Sequence, residues 1–184
     1  KFKTGIFTNI SHDHLDYHKT FNNYLKSKLY LFEKLIEKNG SIITDIEIPQ
    51  YKKIKNISIK KKINIKTISN NKSDLEIISH EYQNEKQIIK VRYKKNSYKF
   101  DTKLIGKIQI KNILMAMLAA TKSSLSFKNI VKVINKIKPV NGRLEQIGII
   151  KNNAKVILDY AHTPEALEIS LTSLKEQFKN RKIS

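Results

Sequence analysis

A short β-prone run, followed by a polar segment and then a long amphipathic helix, constrains the fold of this chain most strongly. Residues 6–10 predict a buried strand. Residues 11–18 are dense in His and Asp, and their position predicts a loop at a strand end, where α/β proteins place their sites. A helix is predicted over residues 20–38, capped by Thr20 and ended by Asn39-Gly40. This order is typical of an α/β fold.

The rest of the chain continues the alternation of strands and helices. We predict a strand over 41–44, small antiparallel strands within 51–104, helices over 109–122 and 127–138, strands over 144–150 and 155–158, and a helix over 165–178. Residues 139–143 are predicted to form a hinge. The sequence therefore predicts one α/β domain over 1–139 and the start of a second α/β unit over 140–184.

Composition narrows the class of protein. The chain has no cysteine, which excludes disulfides and thiolate metal sites, and no apolar run approaches the length of a membrane span. No signal peptide opens it, so we expect a cytoplasmic protein that does not enter a membrane.

The chain begins at Lys1 and stops at Ser184 after a helix, and we expect both ends to be cuts through a longer protein.

The formal net charge of +20 raises the alternative of a nucleic-acid-binding module. Arginine occurs only at Arg92, Arg143 and Arg181, and the lysines are spread among many Ile and Asn residues. A nucleic-acid surface would more often use arginine forks and stacking aromatic side chains. The charge pattern therefore favours a general compositional bias, and we expect no nucleic-acid partner.

The polar segment carries three histidines and two carboxylates within seven residues. By ligand type, His12, His14, His18 and Asp16 could hold zinc. Turn or capping roles explain Asp13 and Asp16 equally well. The segment alone leaves both interpretations open.

Lys28 lies on the apolar stripe of the first predicted helix, three residues after Leu25 and four before Phe32. Burial favours the neutral amine, which can take up carbon dioxide as a carbamate and so become an anionic metal ligand. The alternative is a lysine that snorkels to solvent.

Two further observations concern nucleotides. The turn from Asp159 to Pro164 lies between a predicted strand and a helix, where α/β folds hold a ribose or phosphate, although a plain helix cap explains it as well. No G-x-x-x-x-G-K-[ST] motif occurs, so this chain has no phosphate loop of that kind.

Five segments resemble motifs of the Mur ligase family in order and spacing, over nearly the whole chain: Phe7 to His18, Tyr24 to Phe32, Gly106 to Asn112, Gly142 to Glu145 and Asp159 to Leu167. The family patterns are T-N-x-x-x-D-H-L-D-x-H, Y-x-x-A-K-x-x-L-[FY], G-x-[FH]-N-x-x-N, G-R-[ML]-E and D-Y-A-H-T-P-[DE]-A-L. The resemblance implies part of the central ATPase domain, followed by the start of a Rossmann-like C-terminal domain.

The resemblance also implies roles for particular residues. Lys28 matches the lysine that the family carries as a carbamate and uses to hold magnesium, and His14 matches a histidine near that ion. Asn112 matches the asparagine near the adenine of ATP. Arg143 and Asp159 match residues that contact the nucleotide from the hinge and the C-terminal domain. His162 is expected near the same site, without an assigned role.

The last motif and D-H-L-D-Y-H are similar to the branch that joins an amino acid to UDP-N-acetylmuramoyl-L-alanyl-D-glutamate. The resemblance implies an ATP- and Mg²⁺-dependent ligase working through an acyl phosphate, a monomer whose partners are that UDP-linked dipeptide and a free amino acid. Diaminopimelate and lysine both remain open as that amino acid. The isolated chain is expected to be inactive without a phosphate loop.

Some positions depart from the family patterns. Gln109 replaces the first asparagine of G-x-x-N-x-x-N, His12 stands where arginine is common, and Lys19 replaces a glycine. These departures leave the carbamate and magnesium positions in place. The alternatives are a folate polyglutamating enzyme or another Mur-fold ligase, a basic nucleic-acid-binding module, and a non-catalytic remnant.

Overall fold

The computed structural model describes residues 1–11 and 15–184, and within these ranges the strands form a six-stranded sheet and a separate two-stranded one. The six strands follow chain order: β1 Phe2–Phe7, β2 Ile36–Asp45, β3 Asn64–Ser69, β4 Leu75–Gln83, β5 Lys86–Tyr93 and β6 Asn96–Thr102. The pairs from β1 to β4 are parallel, and those from β4 to β6 are antiparallel. The α/β class predicted from the sequence is confirmed.

Helices pack their apolar faces against both sides of the sheet. Ile42 and Ile43 are fully buried neighbours on β2 that belong to two different apolar clusters, as the alternation of a strand requires. The cluster containing Ile42 packs against α2 (Phe21–Tyr30) and α3 (Tyr51–Lys61). The cluster containing Ile43 packs against α4 (Lys107–Ala120) and α5 (Phe127–Val131).

The first long helix ends earlier than its sequence pattern predicts. A short helix, α1, spans Leu15–His18, and α2 then begins after Thr20, whose side chain accepts the N–H of Asn23 at 3.2 Å, which confirms the predicted cap. A π-helical turn over Leu31–Leu35 closes the helix, and β2 begins at Ile36. Gly40 therefore lies in the strand and is not a helix cap.

Close strand packing explains this correction. A Cβ atom at Gly40 would lie 2.9 Å from the carbonyl oxygen of Lys3 on the neighbouring strand. The glycine thus permits the backbones of β1 and β2 to approach where their register shifts, between Phe2 and Thr4. Pairing with β1, which is distant in sequence, outweighs the local helical preference of residues 36–38.

The region predicted as small strands begins instead with a helix. α3 spans Tyr51–Lys61 and buries Ile54, Ile57 and Ser58, a spacing of three and four that marks one helical face. It ends at Lys62, which adopts a left-handed backbone with φ of 53°. The strand prediction was wrong here because the helical spacing of the isoleucines outweighs their β-branched preference for strands. The antiparallel strands β4 to β6 were predicted correctly.

The remaining helices differ from prediction mainly at their ends. α4 begins two residues before the predicted start, directly after Gly106. α5 stops at Val131, and a separate 3₁₀ turn, Ile134–Lys136, completes the segment that was predicted as one helix.

The last part of the chain forms a hairpin and a helix. β7 (Glu145–Ile150) and β8 (Ala154–Leu158) pair antiparallel, and α6 (Pro164–Gln177) follows with Thr163 as its cap and Pro164 in its first turn. These elements match the predicted ones within one residue at every end. The division into domains at residue 139 and the Rossmann-like character of the second unit stay predictions. None of the described helices is long and apolar enough to cross a bilayer.

Candidate nucleotide and magnesium site

The carboxyl ends of the parallel strands meet at one edge of the sheet. Phe7 at the end of β1 lies beside Thr44, and Asp45 at the end of β2 lies beside Ile68. The hydroxyl of Thr44 donates to the carbonyl oxygen of Phe7 at 3.0 Å, which fixes the two strand ends together. Open α/β sheets bind their ligands at this edge.

Lys28 reaches this edge from α2. Its neighbours Leu25 and Leu29 are buried, while Lys28 itself is half-buried. Its Nζ donates to the carbonyl oxygen of Asn9 at 3.0 Å, just beyond β1, and lies 5.0 Å from the centre of the Tyr24 ring. The amine is thus held between the apolar stripe of α2 and the end of β1, at the carboxyl edge of the sheet.

The other predicted magnesium residue, His14, lies outside the described residues, together with His12 and Asp13. Across 1–11 and 15–184, no group of three or more His, Cys, Asp or Glu side chains is placed to hold a metal ion. Of the two residues predicted to bind magnesium, Lys28 is therefore the one that lies among the described residues. The zinc alternative, which needs His12 and His14, falls on the same undescribed segment.

Asn112 has a buried side-chain oxygen without a hydrogen-bond partner among the described residues. It lies on α4, in the second turn after Gly106. An unsatisfied buried acceptor costs about 1–3 kcal/mol, so this oxygen is available to accept a hydrogen bond from a bound group. A donor such as the amino group of adenine would satisfy it.

A network of ion pairs that the sequence did not predict joins α4 to the strand ends. Lys111 Nζ lies 2.6 Å from Asp45 Oδ2 and 3.1 Å from Glu47 Oε2. Glu47 also accepts the backbone N–H and the side-chain amide of Asn70, which follows β3. The feature of the sequence that could have predicted this network is the pair of carboxylates, Asp45 and Glu47, at the end of a buried strand.

Burial and pairing act in opposite directions on these groups. Burial lowers the pKa of Lys111, but hydrogen bonds and charge attraction from Asp45 and Glu47 outweigh it and raise the pKa overall. Burial raises the pKa of Glu47, but hydrogen bonds from Asn70 and Lys111 outweigh it and lower the pKa overall. Both groups are therefore charged at neutral pH.

The hinge residues and the Asp159 turn lie against each other. Asp159 Oδ2 accepts the backbone N–H of Leu144 at 2.7 Å, and its Oδ1 accepts the N–H of Ala161 at 2.8 Å and the hydroxyl of Ser170 at 3.1 Å. Tyr160 packs on Gly142, whose φ of 67° and lack of a side chain permit the contact. This packing places Arg143 and Asp159 in adjacent loops, whereas their predicted contacts with a nucleotide stay predictions.

Arg143 and His162 are both exposed on these loops. The Nδ1 of His162 lies 2.8 Å from the carbonyl oxygen of Tyr160, within hydrogen-bond distance. The second unit contacts the start of α4, because a Cβ atom at Gly106 would lie 2.9 Å from the Ser173 hydroxyl and 3.4 Å from the Leu144 side chain. The loops therefore sit next to the helix that carries Asn112.

The chain is similar to known proteins in both sequence and fold. The family model of the Mur ligase middle domain matches residues 1–120. The UDP-N-acetylmuramoyl-L-alanyl-D-glutamate--2,6-diaminopimelate ligase of Rickettsia bellii is 37% identical over 175 residues, which are 95% of this chain and 36% of that protein. The protein of the same name from Agrobacterium fabrum is 32% identical over 169 residues, 92% of this chain and 35% of its own length. The chain spans little more than a third of the length of these relatives.

Solved structures share the fold. MurF from Acinetobacter baumannii aligns with a TM-score of 0.82 at 18% identity, over 95% of this chain and 37% of that one. The MurF ligase from Thermotoga maritima in complex with ADP aligns with a TM-score of 0.78 at 15% identity, over 95% and 39% of the two chains. At such identities the likeness shows the fold alone.

Proposed function

Because this chain belongs to the Mur ligase family, we propose that the complete protein is an ATP-dependent ligase that joins 2,6-diaminopimelate to UDP-N-acetylmuramoyl-L-alanyl-D-glutamate. The family resemblance seen in the sequence is confirmed. Relatives that share 32% and 37% identity across nearly the whole chain carry this name, which favours diaminopimelate over lysine. The proposed location is the cytoplasm, as expected from the sequence.

The unpaired oxygen of Asn112 is the observation that carries the proposal. A nucleotide base offers the N–H donor that this atom lacks, and the Arg143 and Asp159 loops lie beside the same helix. The MurF ligase from Thermotoga maritima, which shares this fold, was solved in complex with ADP. These observations support an ATP site between α4 and the hinge loops, with Asn112 facing the base.

The Lys28 position supports a magnesium ion at the carboxyl edge. A carbamate on Lys28 would add two hard oxygen ligands of the kind that Mg²⁺ prefers, and its remaining N–H could still donate to Asn9. His14 completes the proposed pair of magnesium residues. When bound, magnesium would neutralise charge between the phosphates and the substrate carboxylate.

The proposed reaction balances as two substitutions. A carboxylate oxygen of the UDP-linked dipeptide attacks the γ-phosphorus of ATP, the bond to ADP breaks, and an acyl phosphate forms. The amine of diaminopimelate then adds to the acyl carbon, loses a proton and expels phosphate. Closure of the second unit at the hinge near Arg143 would exclude water from the acyl phosphate.

Phosphate release by the complete protein tests this function. Release should require ATP, Mg²⁺, the UDP-linked dipeptide and diaminopimelate together, and L-lysine should support it poorly. Activity that instead required a folate and glutamate would contradict the proposal and favour the folate polyglutamating alternative. The present chain, tested alone, should be inactive because it contains no phosphate loop. Substrate-dependent ADP release by it would show that this part of the prediction is wrong.

A further inference from the structure

The turn between β4 and β5 is hydrogen-bonded to the second unit through Glu85. Asn84 and Glu85 both have positive φ, 50° and 60°, as a two-residue hairpin turn of type I′ requires. β4 begins where β3 ends, because Leu75 pairs with Ile68. The hairpin therefore extends beyond the carboxyl edge of the sheet, on the side of the candidate site.

Glu85 accepts three hydrogen bonds from three separate parts of the second unit. Lys155 Nζ on β8 lies 2.5 Å from Oε2, and Arg181 Nε, after α6, lies 2.6 Å from Oε1. Its backbone carbonyl accepts the side-chain amide of Gln177 at 2.9 Å. Because these contacts come from a strand, a helix and the segment after it, they restrict the orientation of the second unit relative to the hairpin as well as its distance.

A second set of contacts extends the junction to α4. Glu176 accepts the hydroxyl of Tyr82 at 3.0 Å and Lys107 Nζ at 2.8 Å. The side-chain oxygen of Gln177 lies 3.4 Å from the backbone nitrogen of Gly106. The end of α6 is thus attached both to the hairpin and to the first turn of the helix that carries Asn112.

The apolar part of the junction is small. Ile105, Leu144 and Phe178 form its buried cluster within the described part of the chain. A small apolar contact holds two bodies together without selecting one angle between them, whereas hydrogen-bonded ion pairs are directional. Lys155 retains only 17% of its side-chain exposure, so its pair with Glu85 is partly shielded from solvent.

We propose that Glu85 is a positioning residue that sets the orientation of the second unit, and with it the Arg143 and Asp159 loops, relative to Asn112. The inference rests on the proposed function for its catalytic consequence. Glu85 touches none of the three substrates in this proposal, and it acts through the placement of the hinge loops. Because ion pairs hold the junction, the orientation of the second unit should become more variable when salt screens those pairs or when the charge at Glu85 is removed.

A distance measurement in the complete protein tests the proposal without relying on activity. Spin labels at Lys95→Cys and Glu168→Cys, one exposed position on each unit, report the spread of distances between the two units, which widens when their relative orientation varies. Any other cysteine in the complete protein is first replaced. Glu85→Gln should broaden the distance distribution, and Glu85→Lys should broaden it further through repulsion from Lys155 and Arg181. Glu81→Gln, an exposed glutamate on the same hairpin, serves as the matched control and should leave the distribution unchanged.

Charge reversal and kinetics complete the test. Lys155→Glu and Arg181→Glu, added to Glu85→Lys, should narrow the distribution again, which a merely unfolded variant would not do. In the ligase assay Glu85→Gln should raise the KM for ATP roughly threefold to tenfold with a smaller change in kcat. An unchanged distribution in both Glu85 variants overturns the proposal. If the wild-type protein shows no ligase activity, the proposed function fails while the distances still decide the role of Glu85.

Discussion

Lys111 Nζ lies 2.6 Å from the Oδ2 atom of Asp45, although 66 residues separate the two in sequence. Asp45 is 1% exposed at the end of β2, and Lys111 immediately precedes Asn112 on α4. The ion pair therefore anchors the proposed adenine-binding helix to the edge of the sheet.

Removing the amine of Lys111 should destabilise the fold because it leaves the Asp45 carboxylate buried and unpaired. Lys111→Met is expected to lower the free energy of unfolding by about 1–3 kcal/mol, less than for a fully buried pair because Lys111 is partly exposed. Lys111→Arg should retain most of the stability. Urea unfolding measures the change, and Lys128→Met, at an exposed position on α5, is the control. Equal stability of Lys111→Met and the wild type would show that the network contributes nothing.

Low pH should lower the free energy of unfolding, because it protonates glutamates that are paired with lysine or arginine. Hydrogen bonds from Lys155 and Arg181 lower the pKa of Glu85, and one from Lys107 lowers the pKa of Glu176. A lowered pKa contributes stability that is present above the unfolded value of about 4.3 and is lost as pH falls through the folded value. Urea midpoints should therefore be nearly constant from about pH 7 to 5 and fall below that. Glu85→Gln should flatten the acid dependence, and an unaltered slope would contradict the assignment.

Loss of the Lys28 amine should abolish turnover by the complete protein. Without the carbamate the proposed magnesium ligand is missing, and Lys28→Ala is expected to reduce the rate of phosphate release about 100-fold or more. Lys26→Ala, at an exposed position of the same helix, should have little effect. Native mass spectrometry should detect the added carbon dioxide on the wild type and not on Lys28→Ala. A wild-type rate in the variant, with no carbamate mass on the native enzyme, would remove this role.

Asn112→Leu should separate nucleotide binding from stability. The substitution removes an unsatisfied buried oxygen, so the free protein should be as stable as the wild type or slightly more stable. The base would lose its acceptor, so the KM for ATP is expected to rise about tenfold with a smaller effect on kcat. Thermal unfolding without nucleotide and steady-state kinetics measure the two effects. A clear loss of stability with an unchanged KM would show that Asn112 is structural.

Gly142→Ala should strain the hinge. Its φ is 67°, and a Cβ atom there would overlap the Tyr160 ring, so the variant should lose about 1–3 kcal/mol of stability. Gly148→Ala is the matched control, because a Cβ atom at Gly148 would contact nothing within 4 Å. Thermal unfolding compares the two, and equal melting temperatures would show that the Tyr160 contact relaxes without cost.

Local patterns in the sequence were sufficient for several elements. The predicted cap at Thr20 depends on a side chain that bonds within three residues, and the Lys28 position follows from helical spacing alone. The order of the five motifs was enough to identify the family, since each motif is a continuous segment of the chain.

Tertiary structure decided the features that depend on distant partners. Gly40 lies in a strand because β2 pairs with β1. The helix α3 forms where strands were predicted because Ile54 and Ile57 face the sheet. The bonds from Lys111 to Asp45 and from Glu85 to Arg181 join residues 66 and 96 positions apart. Local spacing determines which face of an element is apolar, whereas the pairing of charges across elements depends on how those faces pack, and no short stretch of sequence contains that information.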